Sequence, residues 1–321
     1  MPKLLLPKEG ERVSHLKDYQ VSFLENCEAY AADAEWRHHF DWVEECSIPA
    51  PVHFVWESGE EETFLLSDTP DFSQIVACRR AVDSCDIYNL MIGRTYYWRV
   101  GDSEVRHFET VLQPPRLLCI PGMANVRDIG GWSTLEGKYV KQGMIYRSPA
   151  TTNEFYQATD EGIRILHDDF GIRCDFDLRG KCDNGHSPIG EDVLYCFYDA
   201  EQYEGFVLDR ERNVQMFRRL LDKTIYPVFI HCAYGQDRTG SLIAMLMGVL
   251  GVDDETIICD YELSALVAGE KSRHSGRWVR FVTALQEYGN TLSEQFCGYL
   301  KSGGITDEEL DLFRQIMLED R

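Results

Sequence analysis

The chain has 321 residues, enough for two domains of ordinary size, and its 44% apolar and 12% aromatic content excludes a disordered or fibrous protein. With 54 acidic against 32 basic side chains its formal charge is −22, so the average surface repels nucleic acid and anionic membranes and no nucleic-acid partner is expected. A local cationic pocket is still allowed, because salt confines each charge to roughly 10 Å.

The opening MPKLLLPKEGERVSH holds only three consecutive leucines before a proline, short of the roughly 7–15 apolar residues of a secretory signal. The longest apolar stretch, SLIAMLMGVLGV at 241–252, suits a buried helix better than a membrane span of roughly 20 residues. A soluble, cytoplasmic protein without membrane insertion is expected. Eleven cysteines, an odd number without CxxC pairs, predict free thiols in a reducing compartment. Cys174, Cys182 and His186 lack zinc spacing, so neither a metal nor any other cofactor is expected.

Between 50 and 112 the chain reads VHFVWES, ETFLLS, DIYNLMI, TYYWRVGD and VRHFETV, period-two runs broken every 8–15 residues by turn formers. This predicts antiparallel strands in a β-sandwich, with Tyr96, Tyr97 and Trp98 serving core and strand pairing. TYYWRV, a short acidic turn and HFET resemble the late strands of fibronectin type III domains. The Ala- and Glu-rich stretch 26–45 departs from that plan and predicts a short helix. Paired prolines in QPPRL at 113–117 mark a linker, giving an N-terminal domain over 1–112 and a second over 116–321.

Past the linker, strands and helices alternate: MIYRSPA, helical DEGIRILHDDFG, IRCDFDLRG, VLYCFYDA, helical RERNVQMFRRLLDK and YPVFIHC. Such alternation implies a mostly parallel sheet covered by helices. The last third, 253–321, is helical by spacing, with DDET and TDEE as N-terminal caps.

Ten residues, HCAYGQDRTG at 231–240, join the buried strand YPVFI to the buried helix SLIAMLMGVL. A strand, a glycine-bearing loop and a helix start gather backbone N–H groups of Ala233, Tyr234, Gly235, Gln236, Asp237 and Arg238 around one concavity, where the helix dipole favours an anion. Arg238 can grip two phosphate oxygens with its planar fork. Cys232 at the floor of that cup is stabilised as a thiolate and becomes a nucleophile at neutral pH. Thr239 can donate its hydroxyl to the sulfur.

The loop resembles the HCxxGxxR[ST]G signature of cysteine-dependent phosphatases. With NVRDIGG at 125–131, IYRSPA at 145–150, DFDLRG at 175–180, CDYELS at 259–264 and the YGN…YL…GIT…R ending, region 116–321 resembles the bacterial tyrosine/lipid phosphatase family. The resemblance implies an α/β cysteine-phosphatase fold with Cys232 as nucleophile and Arg238 as phosphate clamp. The family's DLR motif places a general acid on Asp177, although with Arg179 that residue could instead pin the loop. Asp199, 33 residues before the cysteine, holds the position of the acid in the wider tyrosine-phosphatase superfamily, and Asp237 is a third candidate. Asn125, Arg127 and Asp128 match a loop-supporting segment, and His231 orients the cysteine.

Where the family usually has GKDRTG this chain has Gln236 in place of the lysine. One cation fewer favours phosphotyrosine or another singly phosphorylated substrate over phosphoinositides or inositol phosphates, which remain the alternative. A sulfurtransferase and a non-catalytic phosphate-binding module are the other classes compatible with an amide cup. The expected partner is a phosphorylated protein or small phosphomonoester, with the N-terminal sandwich as a spacer or protein-contact surface.

Overall fold

The computed structural model describes residues 2–32, 46–180, 185–267 and 272–321. The backbone divides into two compact units, one formed by Met1–Asp18 with Pro49–Leu118, the other by Tyr19–Ile48 with Cys119–Arg321.

The first unit contains strands β1 (Lys3–Leu6), β2 (Glu11–Val13), β3 (Val52–Glu57), β4 (Glu61–Ser67), β5 (Ile75–Val82), β6 (Ser84–Ile87), β7 (Thr95–Val100), β8 (Arg106–Thr110) and β9 (Arg116–Leu117). β1, β3 and β6 form an antiparallel sheet. A second sheet runs in the order β2-β8-β7-β4-β5, antiparallel except for β2 beside β8. The sequence alternation decides which faces are buried. Val52, Phe54 and Trp56 of β3 share one apolar cluster with Phe64, Leu66, Tyr96, Trp98, Val100 and Phe108 of the larger sheet. Phe54 sits at the centre, its ring 4.6 Å from that of Phe64 and edge-on to Trp98 at 5.2 Å. Each such ring contributes about 1.5–3 kcal/mol by leaving water. Tyr97, of opposite parity, turns away from this core toward His107, 6.1 Å off. At the unit's end the Arg116 guanidinium donates to the carbonyls of Asn89 (2.6 Å) and Leu90 (3.1 Å).

Residues 19–48, which their position in the sequence assigns to the N-terminal domain, belong to the second unit. The cause is apolar packing: Phe23 and Cys27 cluster with Cys259, Leu263 and Leu266. A disulfide between Cys27 and Cys259 reinforces it and corrects the expectation that every cysteine is a free thiol. Gln20 stitches the segment's ends together, donating to the carbonyls of Cys46 and Ile48. Of the helix expected at 26–45, Cys27–Ala32 is seen, and 33–45 lie outside the described residues.

The second unit adds β10 (Arg127–Asp128), β11 (Tyr139–Val140), β12 (Ile145–Pro149), β13 (Cys174–Asp177), β14 (Leu194–Phe197), β15 (Val228–Cys232) and β16 (Leu318–Glu319). β14-β13-β15-β12-β10 lie side by side, β12 to β15 mutually parallel and β10 antiparallel to β12, while β11 pairs with β16. Every residue of β12, β13 and β15 is buried, as strands covered on both faces must be. Because four strands run the same way, Pro149, Asp177, Phe197 and Cys232 all reach one edge, with Pro149 opposite Cys232 and Asp177 opposite both His231 and Phe197. In open α/β sheets that carboxyl edge is where ligands bind.

The helix Asp237–Val249 is buried from Thr239 to Val249, which is why its sequence shows no polar face. The expected caps form: Asp253 accepts from Thr256 N ahead of Asp254–Glu262, and Thr306 with Glu309 closes a capping box on Asp307–Met317.

Candidate active site

β15 occupies the middle of the sheet and delivers Cys232 to its carboxyl edge, where residues 233–236 turn directly into the helix beginning at Asp237. Gly235 allows the turn. Its φ is +67°, and a Cβ there would stand 2.4 Å from the Ser148 carbonyl carbon and 2.6 Å from Pro149 N, both backbone atoms that cannot yield. The loop's carbonyls are claimed by side chains. Asn153 Nδ2 donates to Ala233 O (2.7 Å), Asn125 Nδ2 to Tyr234 O (3.2 Å), and Arg147 Nη2 to Gly235 O (2.9 Å). With the acceptors held this way, the amides of Tyr234, Gln236 and Thr239 serve the Cys232 sulfur.

Behind the loop lies a buried cluster of three charges. Asp260 accepts from Arg127 Nε at 2.8 Å and from Arg147 Nη1, and Arg127 also donates to Asn125 Oδ1 at 2.6 Å. Burial and then the neighbouring Arg127 pull Arg147 down to about 10, opposed by Asp260. Burial would raise the Asp260 carboxyl, but the two guanidiniums outweigh it and hold the pKa below the ordinary range. The sequence motifs contain Arg147 and Asp260 but give neither a role; the signal for Arg147 was a charged residue inside the strand-forming IYRSPA, while Asp260 stands among other acidic residues and gave none. Asp128 accepts from the amides of Gly130 (2.8 Å) and Gly143 (2.6 Å), bracing backbone away from the sulfur.

The Cys232 side chain is only 5% exposed. Burial alone would raise its pKa; the Thr239 hydroxyl and the amides of Thr239, Tyr234 and Gln236 more than reverse that, so the thiol ionises below its usual range. Thr239 Oγ1 is buried with no oxygen or nitrogen partner among the described residues, and its hydroxyl is the side-chain donor that stabilises the Cys232 thiolate. Arg238, the residue before Thr239, has its Nε buried and without an acceptor among the described residues. A guanidinium so placed at a helix N-terminus is set to receive an anion.

The three candidate acids sit in different environments. Asp177 is fully buried and receives Arg179 Nε (2.9 Å), Nη2 (2.6 Å) and backbone N (2.9 Å), plus the Tyr195 hydroxyl (2.8 Å). Burial would raise its pKa, yet Arg179, foremost, and His231 drive it below the ordinary carboxylate range. It also lies on the sheet face of His231, its register partner, whereas Cys232 is the next residue and points the other way. A carboxylate so held is a poor proton donor, and its contacts tie the end of β13 to Arg179 and Tyr195. His231 is buried, its Nε2 2.9 Å from Asp175 Oδ1; burial would lower its pKa, and Asp175 and Asp177 raise it.

Asp237, in the first turn of the helix, accepts the Tyr203 hydroxyl. Asp199 is exposed, two residues beyond β14 on the same edge, with its carboxylate against Gly180. Of the residues first weighed for a metal, Cys182 lies outside the described residues. Cys174 instead faces Cys196, with 3.7 Å between sulfurs.

A family model described as the tyrosine phosphatase family matches residues 118–319. The chain belongs to that family. The match spans the loop, the Arg127–Asp260–Arg147 cluster and the parallel strands β12 to β15, so the α/β fold of the second unit is a phosphatase-like fold. Among solved structures, the family member is similar to the core catalytic domain of the PP-IP phosphatase Siw14 from S. cerevisiae in complex with citrate, at 18% identity and TM-score 0.32 over 40% of this chain and 74% of that one. A second Siw14 catalytic-core structure matches at 16% identity and TM-score 0.33 over 52% and 83%. No curated protein matches the chain. Among the described residues no helix is long and apolar enough to cross a membrane.

Proposed function

We propose that this phosphatase-family chain hydrolyses phosphate monoesters through a phosphocysteine on Cys232, with phosphotyrosine in proteins as its substrate. The observation that carries the reading is Arg238, whose buried Nε has no acceptor among the described residues, beside a cysteine of lowered pKa. A bound phosphate accepts from Arg238 and the loop amides. The Cys232 thiolate attacks phosphorus, the P–O ester bond breaks, and the leaving oxygen takes a proton from Asp199. Water then attacks the phosphocysteine, the Asp199 carboxylate takes a proton from that water, and the P–S bond breaks toward a sulfur that accepts from Thr239. Charge on the phosphoryl oxygens is met throughout by Arg238 and the amides, so the scheme calls for no metal.

Two features favour an aryl monophosphate. Gln236 supplies no charge, and the loop's outer flank carries Tyr234 with its hydroxyl on Glu154 and its ring 5.7 Å from the exposed Phe155. A carboxylate and two rings suit a phenyl ring better than a polyphosphorylated headgroup. The N-terminal unit, with two sheets over one aromatic core, we read as a fibronectin type III-like module for protein contact.

The experiment is turnover of phosphotyrosine peptide in chelator by wild type and Cys232→Ser. Activity in the wild type alone is expected, and equal rates overturn the nucleophile. A tenfold preference for inositol phosphates in a substrate panel would keep the mechanism and replace the substrate.

A further inference from the structure

Tyr203 has no role in the mechanism so far, yet its backbone and its side chain are both tightly held near the loop. It is 5% exposed and adopts φ +54° and ψ −122°, a region that a bulky L-residue enters only when its surroundings compel it. What compels it is a set of contacts with the start of the helix that follows Cys232. The Tyr203 hydroxyl donates to Asp237 Oδ1, its backbone N donates to Ser241 Oγ at 3.1 Å, and Ser241 Oγ in turn donates to the Asp237 carbonyl at 3.0 Å. From behind, Tyr261 presents its hydroxyl 3.0 Å from that of Tyr203 and its ring edge-on at 6.3 Å, and Trp278 stacks on Tyr261 at 4.2 Å. Burial, then the neighbouring Tyr261 and Asp237, raises the Tyr203 pKa, so the hydroxyl keeps its proton to donate.

Tyr203 stands four residues after Asp199 in the segment that leaves β14. We propose that Tyr203 is a positioning residue that latches the Asp199-bearing segment onto the helix start beside Cys232, fixing where the proton donor stands relative to the nucleophile. The strained backbone and the two hydrogen bonds are both parts of this latch. A merely space-filling tyrosine would need neither the hydroxyl acceptor on Asp237 nor the left-handed backbone. The inference rests on the reading of Asp199 as proton donor.

The test compares Tyr203→Phe with wild type on two aryl phosphates, phenyl phosphate, whose leaving oxygen needs a proton, and 2,4-dinitrophenyl phosphate, whose leaving group does not. A mispositioned acid slows only the first. We expect about a tenfold loss of kcat on phenyl phosphate and less than about twofold on the dinitrophenyl ester, with Asp199→Asn showing the same asymmetry more strongly, about 100-fold or more. Tyr226→Phe, which removes a buried hydroxyl bonded to the Leu220 carbonyl at 2.6 Å elsewhere in the unit, controls for lost stability and should slow neither ester. Should Tyr203→Phe not fold, Ser241→Ala severs the other tie and should give the same asymmetry at smaller size. Equal slowing of both esters, or none, overturns the latch. Asymmetry in Tyr203→Phe without it in Asp199→Asn would keep Tyr203 as a positioning residue and move the acid elsewhere. Absence of turnover by the wild type would fail the functional reading itself.

Discussion

Arg147 donates to the Gly235 carbonyl at 2.9 Å while its other terminal nitrogen holds Asp260, so one buried guanidinium ties the loop's backbone to the helix Asp254–Glu262. The loop can present amides on its inner side only while its carbonyls have donors on the outer side. Arg147→Met should therefore weaken vanadate binding by at least tenfold, and leaving Asp260 with one buried partner should cost about 3–5 kcal/mol in thermal or urea unfolding. Arg147→Lys should recover part of the stability and little of the binding, because an ammonium cannot span both acceptors. Wild-type vanadate affinity in Arg147→Met would show that the carbonyl tie is dispensable.

Gly235→Ala tests the loop from within. The added methyl would have to enter the Ser148–Pro149 backbone, so the loop and β12 must separate at the floor of the site. Turnover should fall by about 100-fold or more, as expected when a reacting group is displaced by about 1 Å. The far-UV spectrum should be unchanged, since the clash is local. A variant with ordinary kcat would mean that the loop takes another path in solution.

The sequence made the cup legible because its chemistry is local: strand, Cys232, Gly235, Arg238, Thr239 and buried helix are contiguous, and each residue type has one physical use there. The surroundings of Asp177 were legible only in part. DLRG shows an aspartate at a strand end with an arginine two residues on, but only the β13–β14 pairing brings in Tyr195, and only the β13–β15 register turns the carboxylate to the face of His231. Arg147 and Asp260 lie 113 positions apart, and nothing in either segment names the other as its partner. The grouping of residues 19–48 with the second unit depends on Phe23 and Cys27 finding Cys259 and Leu263, a long-range choice that local pattern cannot encode. Tyr203 was invisible, since a tyrosine in QYEGF gives no warning of a left-handed backbone.

The lowered pKa of Cys232 predicts how its alkylation depends on pH. Thiolate forms as pH rises through the folded pKa, so iodoacetamide should react with Cys232 at pH values where the half-buried Cys297, its thiol pushed up by burial, does not. Mass spectrometry of the two peptides separates the sites, and inorganic phosphate should protect Cys232 alone. Thr239→Val removes the side-chain donor to sulfur and should move the alkylation midpoint upward, toward that of an ordinary thiol. An unmoved midpoint would assign the stabilisation to the amides alone.

Asp177 gives a prediction with a definite sign. Its folded pKa lies below the unfolded value, so its pairing with Arg179 stabilises the fold fully above the unfolded pKa, roughly 3.9, and that contribution fades as pH falls through the folded pKa. His231 runs the other way: its raised pKa stabilises below roughly 6.5 and is lost as pH climbs through the folded value. Asp177→Asn weakens the Arg179 pair and takes a negative charge from beside His231, so it should destabilise at pH 7 and its deficit should shrink in acid. Urea midpoints at pH 7 and pH 3 measure this. As a loop anchor, Asp177→Asn should also slow phenyl and dinitrophenyl phosphate by the same factor. A selective loss on phenyl phosphate would return the proton-donor role to Asp177 and displace Asp199.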